Sequence, residues 1–351
     1  MFHPLRVSEV EQLTDDSVAV TFQVPPELRE TFRHTPGQHL ALRRLVQGEE
    51  IRRTYSICAP AAPGDADPML RVGIRLVDGG EFSTFALKEL AVGDTVEVMP
   101  PMGRFLLAPR PGYFAAIVGG SGITPVLSMA ATLLATEPKA RFCLIRSDRT
   151  AASTMFLDEV AELKDRFPDR LQLVTVLSRE EQQSGLPSGR LDQERLNGLL
   201  PALLPVADVD GWFLCGPIGL VQGAERALRG LGVDRSRIHE EIFHVDDGSG
   251  PSKAAVSAPA HAELTATLDG RSGKWPVREG ESLLETVLRS RADAPYACKG
   301  GVCGTCRAFL VSGEVRMNRN FALEQEETEA GYVLACQSHP ATPEVELDFD
   351  R

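Results

Sequence analysis

The sequence has no run of apolar residues that approaches the length of a membrane-spanning helix. Such a helix needs about 20 consecutive, mainly apolar residues, so we expect no membrane partner. The amino-terminal stretch MFHPLRVSEVEQ also lacks a basic segment followed by an apolar core. We therefore expect no signal peptide and a cytoplasmic protein.

An excess of positive charge is missing as well. The chain has 37 Lys and Arg residues against 49 Asp and Glu residues, which gives a net charge of -12. Proteins that bind nucleic acid need the opposite balance, so the composition argues against a nucleic-acid partner. A length of 351 residues, with 43% hydrophobic and 25% charged residues, is typical of two or three globular domains.

Cysteine is too scarce and too unevenly spread for a disulfide framework. The chain has seven cysteines, an odd number, and four of them lie near the carboxyl terminus. This distribution favours a reducing compartment and metal ligation. We interpret Cys58 and Cys143, which fall in predicted strands, as small apolar core residues.

The regions of the chain differ in hydrophobic pattern. Residues 1–110 contain short strand-like runs separated by turn signals, which predicts an antiparallel β-barrel. Residues 111–245 alternate apolar strands with helical stretches, which predicts an α/β domain on a parallel sheet. Residues 246–260 are rich in Gly, Ser, Pro and Ala and predict a flexible linker. Residues 261–351 combine strands, a helical stretch and the cysteine cluster, which predicts an α+β domain.

The cysteine cluster has a spacing typical of an iron–sulfur site. Four residues separate Cys298 from Cys303, two separate Cys303 from Cys306, and Cys336 follows in a distant segment. This is the spacing of plant-type ferredoxins, whose thiolates hold a 2Fe–2S cluster in a β-grasp-like domain. A zinc site is the alternative, but zinc motifs generally pair two short hooks. We predict that these four cysteines are the metal ligands.

Two short segments of residues 1–110 favour a flavin dinucleotide. In Arg53-Thr54-Tyr55-Ser56, strand alternation places the Arg and the Tyr on one face and the Ser on the other. An Arg can pair with a pyrophosphate and a Tyr ring can cover a flavin. Downstream, Gly79-Gly80-Glu81-Phe82-Ser83 begins a helical stretch whose first N–H groups can hold a phosphate. Taken alone, the first motif is also compatible with a polar strand surface.

A glycine-rich turn follows the first apolar strand of residues 111–245. It reads Gly119-Gly120-Ser121-Gly122-Ile123-Thr124-Pro125 and leads into a helix. Glycines permit close approach to a pyrophosphate, and the helix start supplies positive potential. The Pro suits the first helical turn.

Further along, Ser178-Arg179 ends a later strand, where it can bind a ribose phosphate unless the loop is merely solvated. Arg149 and Arg190 are candidates to assist. We expect the neighbouring Asp148 to oppose a phosphate placed there.

Taken together, these motifs resemble the ferredoxin–NADP reductase family. The resemblance implies that Arg53 contacts the FAD pyrophosphate, that Tyr55 stacks on the flavin and that Ser56 lies near its reactive nitrogen. It also implies that the Cys-Gly segment of Cys215-Gly216-Pro217 borders the nicotinamide, without a redox role for the thiol. Phe243 is expected either to shield a flavin face or to be a core residue.

The expected cofactors are FAD, a 2Fe–2S cluster and NADPH as co-substrate, with NADPH favoured over NADH. The predicted FAD contacts are Arg53, Thr54, Tyr55, Ser56, Gly80, Phe82 and Ser83. The predicted NADPH contacts are Gly119, Gly120, Gly122, Ile123, Thr124, Pro125, Ser178, Arg179, Cys215, Gly216 and Pro217. We expect no catalytic acid or base, since the cofactors carry the chemistry.

The resemblance covers nearly the whole chain and extends to reductases of multicomponent oxygenases. It implies that electrons pass from NADPH to FAD, to the 2Fe–2S cluster and then to a di-iron oxygenase complex. Two alternatives stay open at this point: the reductase of a ring-hydroxylating or alkane oxygenase, and a redox-sensing electron-transfer module. A sensor needs no NADPH loop, so the motifs argue against it.

Overall fold

The computed structural model describes residues 1–46, 48–180, 189–244 and 262–351. It contains two compact units, Phe2–Asp246 and Asp247–Arg351. The predicted linker at 246–260 lies outside the described residues. In the described ranges, no helix is both long enough and apolar enough to cross a membrane.

The first part of the larger unit is an antiparallel sheet. Its elements are β1 (His3–Thr14), β2 (Ser17–Gln23), β3 (His39–Val46), β4 (Glu49–Ser56), β5 (Leu70–Arg75), α1 (Glu81–Lys88) and β6 (Thr95–Val98). The strand order is β4-β3-β6-β1-β2-β5, and every pair is antiparallel. The inward side chains form a buried core that includes Leu5, Val20, Leu40, Val72 and Phe82. The antiparallel architecture predicted from the sequence is confirmed.

This sheet differs from the predicted barrel in how its edges meet. The edge strands β4 and β5 form no continuous ladder within the described residues; an isolated bridge joins Ile57 to Val72. The sheet is therefore curled and open rather than closed.

The second part of the larger unit is a parallel sheet with helices. Its elements are β7 (Gly112–Gly119), α2 (Ile123–Thr136), β8 (Ala140–Asp148), α3 (Leu157–Arg166), β9 (Leu171–Leu177), α4 (Gln193–Leu203), β10 (Gly211–Pro217), α5 (Ile218–Gly230) and β11 (Ile238–His244). The order is β11-β10-β7-β8-β9, and all pairs are parallel. Residues 114–118 of β7 are all buried, because helices cover both faces of a parallel sheet. The chain leaves β7 in one direction and returns to its other side at β10, so a ligand crevice is expected where β7 ends.

The smaller unit is an α+β domain, as predicted. Its elements are β12 (Glu263–Leu268), β13 (Arg271–Pro276), α6 (Leu283–Leu288), β14 (Arg307–Ser312), β15 (Val315–Met317), α7 (Gln325–Glu329), β16 (Tyr332–Leu334), β17 (Ser338–Pro340) and β18 (Glu344–Asp348). The main sheet has the order β13-β12-β18-β14-β16, and β15 pairs with β17. A reciprocal capping box between Ser282 and Glu285 begins α6, which packs its leucines into the core. The long loop between α6 and β14 carries three of the predicted metal ligands.

Candidate flavin, nucleotide and iron–sulfur sites

The backbone of the glycine-rich turn after β7 packs directly against the backbone at the end of β10. A Cβ atom on Gly122 would lie 2.3 Å from the carbonyl oxygen of Cys215, at the end of β10. Gly216 has a φ of 141°, and a Cβ atom there would lie 2.9 Å from the carbonyl oxygen of Gly119. Only glycine fits such distances. The predicted residues of the turn and of the Cys215 segment are thus brought together by main-chain packing.

The same turn leads directly into α2, a helix of 14 residues. Gly120 to Gly122 form a single helical turn, and the Thr124 hydroxyl donates to the carbonyl oxygen of Ser121 at 2.9 Å. The early N–H groups of a helix and its dipole favour an anion. The turn therefore fits the pyrophosphate of a dinucleotide.

Cys215 is fully buried beside this turn. Burial raises the pKa of its thiol well above the usual value, and the nearby Glu241 carboxyl raises that pKa further. The thiol stays protonated, which suits a residue that lines a site without exchanging electrons. Cys58 and Cys143 are buried too, as predicted.

The ends of β8 and β9 hold the predicted ribose-phosphate contacts side by side. The Ser178 N–H donates to the carbonyl oxygen of Asp148, and the Arg179 N–H donates to that of Arg149, both at 2.9 Å. The side chains of Arg149 and Arg179 are exposed on neighbouring chain segments, and that of Arg190 is also exposed. Two guanidinium groups on adjacent strand ends suit a phosphate monoester.

The expectation that Asp148 would oppose a phosphate is wrong. Its Oδ2 accepts a hydrogen bond from Nε of Arg146 at 2.8 Å, and both side chains are 1% exposed. Arg146 also donates to the carbonyl oxygen of Met155 at 2.9 Å. The carboxylate is therefore turned into the interior and neutralised there, away from the exposed arginines.

The flavin motif lies on β4 with the predicted alternation. Arg53 is exposed and Tyr55 is half-buried, whereas Ser56 points to the buried side. The Tyr55 ring lies 5.6 Å from the ring of Phe82, measured between centroids, and burial raises the pKa of the Tyr55 hydroxyl. The tyrosine is thus a neutral, partly covered ring beside the start of α1.

The turn before α1 is built from Gly80 and Ser83. The Ser83 hydroxyl donates to the carbonyl oxygen of Gly80 at 3.1 Å and accepts from the N–H of Val77 at 3.1 Å. A Cβ atom on Gly80 would lie 2.6 Å from that hydroxyl. Because the hydroxyl shapes the turn, the backbone N–H groups at the start of α1 are the available phosphate donors.

Two residues beside Ser56, the buried His39 and the largely buried Glu241, were not predicted from the sequence. Ser56 Oγ donates to Oε2 of Glu241 at 3.5 Å, and Glu241 pairs with Cys215 in the β10–β11 register. The other carboxyl oxygen, Oε1, lies 3.9 Å from Nδ1 of His39. Among the described residues, the buried Nε2 of His39 has no hydrogen-bond partner. A buried polar atom of this kind, next to the flavin motif, fits a polar cofactor.

Burial controls the charge of both residues. It raises the pKa of Glu241 to about 8 and lowers the pKa of His39 to about 4. At neutral pH the pair is therefore a protonated carboxyl beside a neutral imidazole, and not an ion pair. Nothing in the local sequence signals this, since it depends on strands that are far apart in the chain.

We predict that the thermal stability of Glu241→Gln decreases less with rising pH than that of the wild type. The pKa of Glu241 is about 8 in the folded protein and has its ordinary value of 4.5 in the unfolded chain, so stability falls as pH rises between them. The variant has no such group, and its Tm should fall less than that of the wild type between about pH 7 and pH 8. The His39 contribution lies below the ordinary pKa of 6.5 for that side chain, outside this window.

Thermal unfolding of the flavin-loaded protein across that window measures the effect. Glu225→Gln, on α5, is the matched control and should keep the wild-type slope. Equal slopes for Glu241→Gln and the wild type would contradict the prediction.

The iron–sulfur loop brings the predicted ligands together as two thiol pairs. Hydrogen bonding links the Cys298 thiol to Cys303 and the Cys306 thiol to Cys336. A 2Fe–2S cluster has two iron atoms with two protein ligands each, so two pairs fit it. In the part of the chain that the structure describes, no group of three or more His, Cys, Asp or Glu side chains is arranged to hold a single metal ion.

Hydrogen bonding favours the thiolate form of one member of each pair, since it lowers the pKa of Cys298 and that of Cys336. The N–H groups of Gly300 and Cys303 point to the Cys298 sulfur at 3.3 and 3.4 Å. The Cys303 thiol, followed by these backbone donors, lowers the pKa of Cys298 to about 5. Gly301 and Gly304 have positive φ values, which lets the loop turn its N–H groups inward. The donor set fits a cluster of thiolate-bound iron.

We predict that Cys303→Ser removes the cluster and leaves the flavin. The change deletes one member of the Cys298–Cys303 pair, whereas the flavin motif lies in the other unit. Visible absorption and iron content measure the result. Cys58→Ser is the control, since its buried thiol only donates to the carbonyl oxygen of Arg71 at 3.2 Å and a hydroxyl can replace it. Persistence of the cluster absorption in Cys303→Ser would refute the ligand set.

Comparison with protein families identifies the class. Residues 4–106 match an oxidoreductase FAD-binding domain, residues 116–226 an oxidoreductase NAD-binding domain, and residues 266–341 a 2Fe-2S iron-sulfur cluster binding domain. The chain therefore belongs to the ferredoxin–NADP reductase family, in the group that carries a carboxyl-terminal 2Fe–2S domain. Electrons pass from NAD(P)H through FAD to the cluster, as the motifs predicted.

Individual relatives match over nearly their full lengths. The chain is 43% identical to a subunit of 1,2-phenylacetyl-CoA epoxidase from Escherichia coli K12, over 99% of this chain and 98% of that protein. It is 34% identical to the ferredoxin reductase component of 3-ketosteroid-9-alpha-monooxygenase from Mycobacterium tuberculosis H37Rv, over 99% and 95%. Both relatives are components of multicomponent oxygenases.

Solved structures share the fold. Phthalate dioxygenase reductase matches with a TM-score of 0.59 and 24% identity, over 99% of this chain and 98% of that chain. An intact type IV self-sufficient cytochrome P450 monooxygenase matches with a TM-score of 0.71 and 24% identity, over 99% of this chain and 41% of that chain. The three-part architecture of sheet, nucleotide domain and iron–sulfur domain is thus confirmed.

Proposed function

We propose that this protein is the NADPH-dependent reductase of a di-iron oxygenase that epoxidises the ring of phenylacetyl-CoA, in cytoplasmic phenylacetate catabolism. The observation that carries the proposal is the 43% identity, over nearly both full lengths, to the Escherichia coli epoxidase component. The discriminating stretches lie in the iron–sulfur domain, where CKGGVCGTC is followed by AGYVLACQ and VELDFD. We take the domains as 1–110, 111–245 and 261–351, joined by a linker at 246–260.

The site residues support cofactor binding in named roles. Arg53 and the N–H groups of Phe82 and Ser83 hold the FAD pyrophosphate, and Tyr55 covers the flavin ring. Ser56, tied to Glu241 at 3.5 Å, presents its hydroxyl near the reactive nitrogen. When bound, the flavin takes two electrons from the nicotinamide and passes them on singly. The protein supplies position and water exclusion, and needs no catalytic acid or base for this transfer.

The nicotinamide side of the site lies at the end of β10. The main chain of Cys215 and Gly216 lies directly against Gly119 and Gly122, which places this segment beside the glycine-rich turn. Phe243 is half-buried at the end of β11 and packs on the core cluster that includes Cys215. This packing supports the core interpretation of Phe243 at least as well as the flavin-shielding one.

The arginines at the strand ends support NADPH over NADH. Arg179 and Arg149 are exposed on hydrogen-bonded segments, and Asp148 is neutralised by Arg146 in the interior. Two exposed guanidinium groups on adjacent segments favour the 2′-phosphate that distinguishes the two coenzymes.

We predict that Arg179→Ala raises the KM for NADPH about 10- to 100-fold, the cost of one charge-assisted hydrogen bond, and leaves that for NADH nearly unchanged. Steady-state reduction of an artificial acceptor measures both constants. Arg166→Ala, an exposed arginine on α3, is the control and should alter neither. An equal increase in the KM for NADPH and for NADH would mean that other residues bind the 2′-phosphate.

We predict that the protein supports NADPH-dependent epoxidation when mixed with the purified oxygenase component of a phenylacetyl-CoA epoxidase. Product formation measures it, with reduction of an artificial acceptor as the positive control. Acceptor reduction without epoxide would contradict the assignment and favour the second candidate, the reductase of another oxygenase, which the 34% identical ketosteroid relative supports. Absence of NADPH-dependent turnover would favour a redox sensor.

A further inference from the structure

Gln337 directly follows the predicted ligand Cys336, and its side chain reaches back to the loop of the other three ligands. Its Nε2 lies 2.8 Å from the carbonyl oxygen of Lys299, 3.3 Å from the carbonyl oxygen of Cys336 and 3.6 Å from the Cys336 sulfur. A carboxamide nitrogen carries two hydrogens. One is directed to Lys299, and the other is shared by the two acceptors of Cys336.

Lys299, whose carbonyl oxygen accepts the bond from Gln337, has an unusual backbone conformation. Lys299 has a φ of 52°, a left-handed conformation that residues with a side chain rarely adopt. Such a conformation persists only where its surroundings hold it. The bond from Gln337, across 38 positions of sequence, is a contact that holds the Lys299 peptide in place.

The Gln337 side chain is itself confined. The backbone N–H of Gln337 donates to the carbonyl oxygen of Leu334, and the backbone carbonyl oxygen of Gln337 accepts from the N–H of Asn318, both at 2.9 Å. A Cβ atom on Gly301 would lie 3.0 Å from Cγ of Gln337, so the stem passes directly over that glycine. The carboxamide is therefore presented to the two ligand segments from a fixed backbone.

We propose that Gln337 is a positioning residue of the iron–sulfur site, which joins the segment of Cys336 to the loop of Cys298 and raises the reduction potential of the bound cluster. Reduction adds negative charge to the cluster and its thiolates, and an N–H donor stabilises that charge. The proposal rests on the 2Fe–2S domain and goes beyond the proposed function. Its test uses no oxygenase, so its failure would leave the assignment of the acceptor untouched.

The experiment compares full-length, cofactor-loaded wild type with Gln337→Leu, which keeps the stem and removes the donors. We expect a lower midpoint potential for the cluster in a redox titration followed by electron paramagnetic resonance. We also expect the oxidised cluster to be lost to an iron chelator about fivefold faster, as for one lost hydrogen bond. Gln325→Leu, on α7 and bonded to Glu329, is the control and should change neither value.

Gln337→Asn is the second variant, for the case that leucine prevents cluster assembly. It keeps the amide but is one methylene too short to reach Lys299 from the same backbone, and we expect its potential to fall as well. An unchanged potential in an assembled variant would overturn the proposal. Faster loss of the cluster with an unchanged potential would also overturn it, because Gln337 would then act on the loop alone.

Discussion

The close approach of two main chains where β7 and β10 end is the constraint on which the larger unit depends. Because Gly122 lies against the carbonyl oxygen of Cys215 and Gly216 lies against Gly119, any side chain at these positions would push the central strands of the sheet apart. The same glycines form the turn that begins α2, where we propose that the pyrophosphate of the dinucleotide binds. Sheet packing and ligand binding therefore impose the same requirement on the same glycines.

Helix α2 links this turn to the flavin sheet. The Ser128 hydroxyl donates to the carbonyl oxygen of Ala59 at 2.7 Å, and the N–H of Ala61 donates to the Thr132 hydroxyl at 2.9 Å. These bonds join the helix that begins at the nucleotide turn to the segment that follows the flavin motif. On the opposite side, Ser56 meets Glu241 from β11. Partly or fully buried polar contacts thus join the antiparallel sheet to the parallel sheet and its helices.

Much of the fold and many of the candidate site residues could be predicted from local patterns. Most strands and the main helices have a clear hydrophobic period, and each cofactor motif is a contiguous stretch of sequence. Helix α4 has a weak helical signal in the sequence, since it contains Gly198 and Pro201. Glu241 and His39 were missed because their protonation depends on burial by distant strands. Asp148 was misjudged for the same reason: its partner Arg146 is two residues away, but only the fold shows that both side chains point inward. The sequence shows which residue types lie near a site, whereas the direction and the solvent exposure of their side chains depend on packing.

The buried pair of Arg146 and Asp148 has a consequence for engineering. Asp148 ends β8 beside the exposed arginines, and its position in the sequence alone would make it a target for changing the coenzyme preference. Removing its carboxylate would leave the Arg146 guanidinium buried without its counter-charge, a change that destabilises a fold rather than retuning it. Arg149 and Arg179 are exposed and take no part in this buried pair, so we expect their substitution to change coenzyme binding without that cost to the fold.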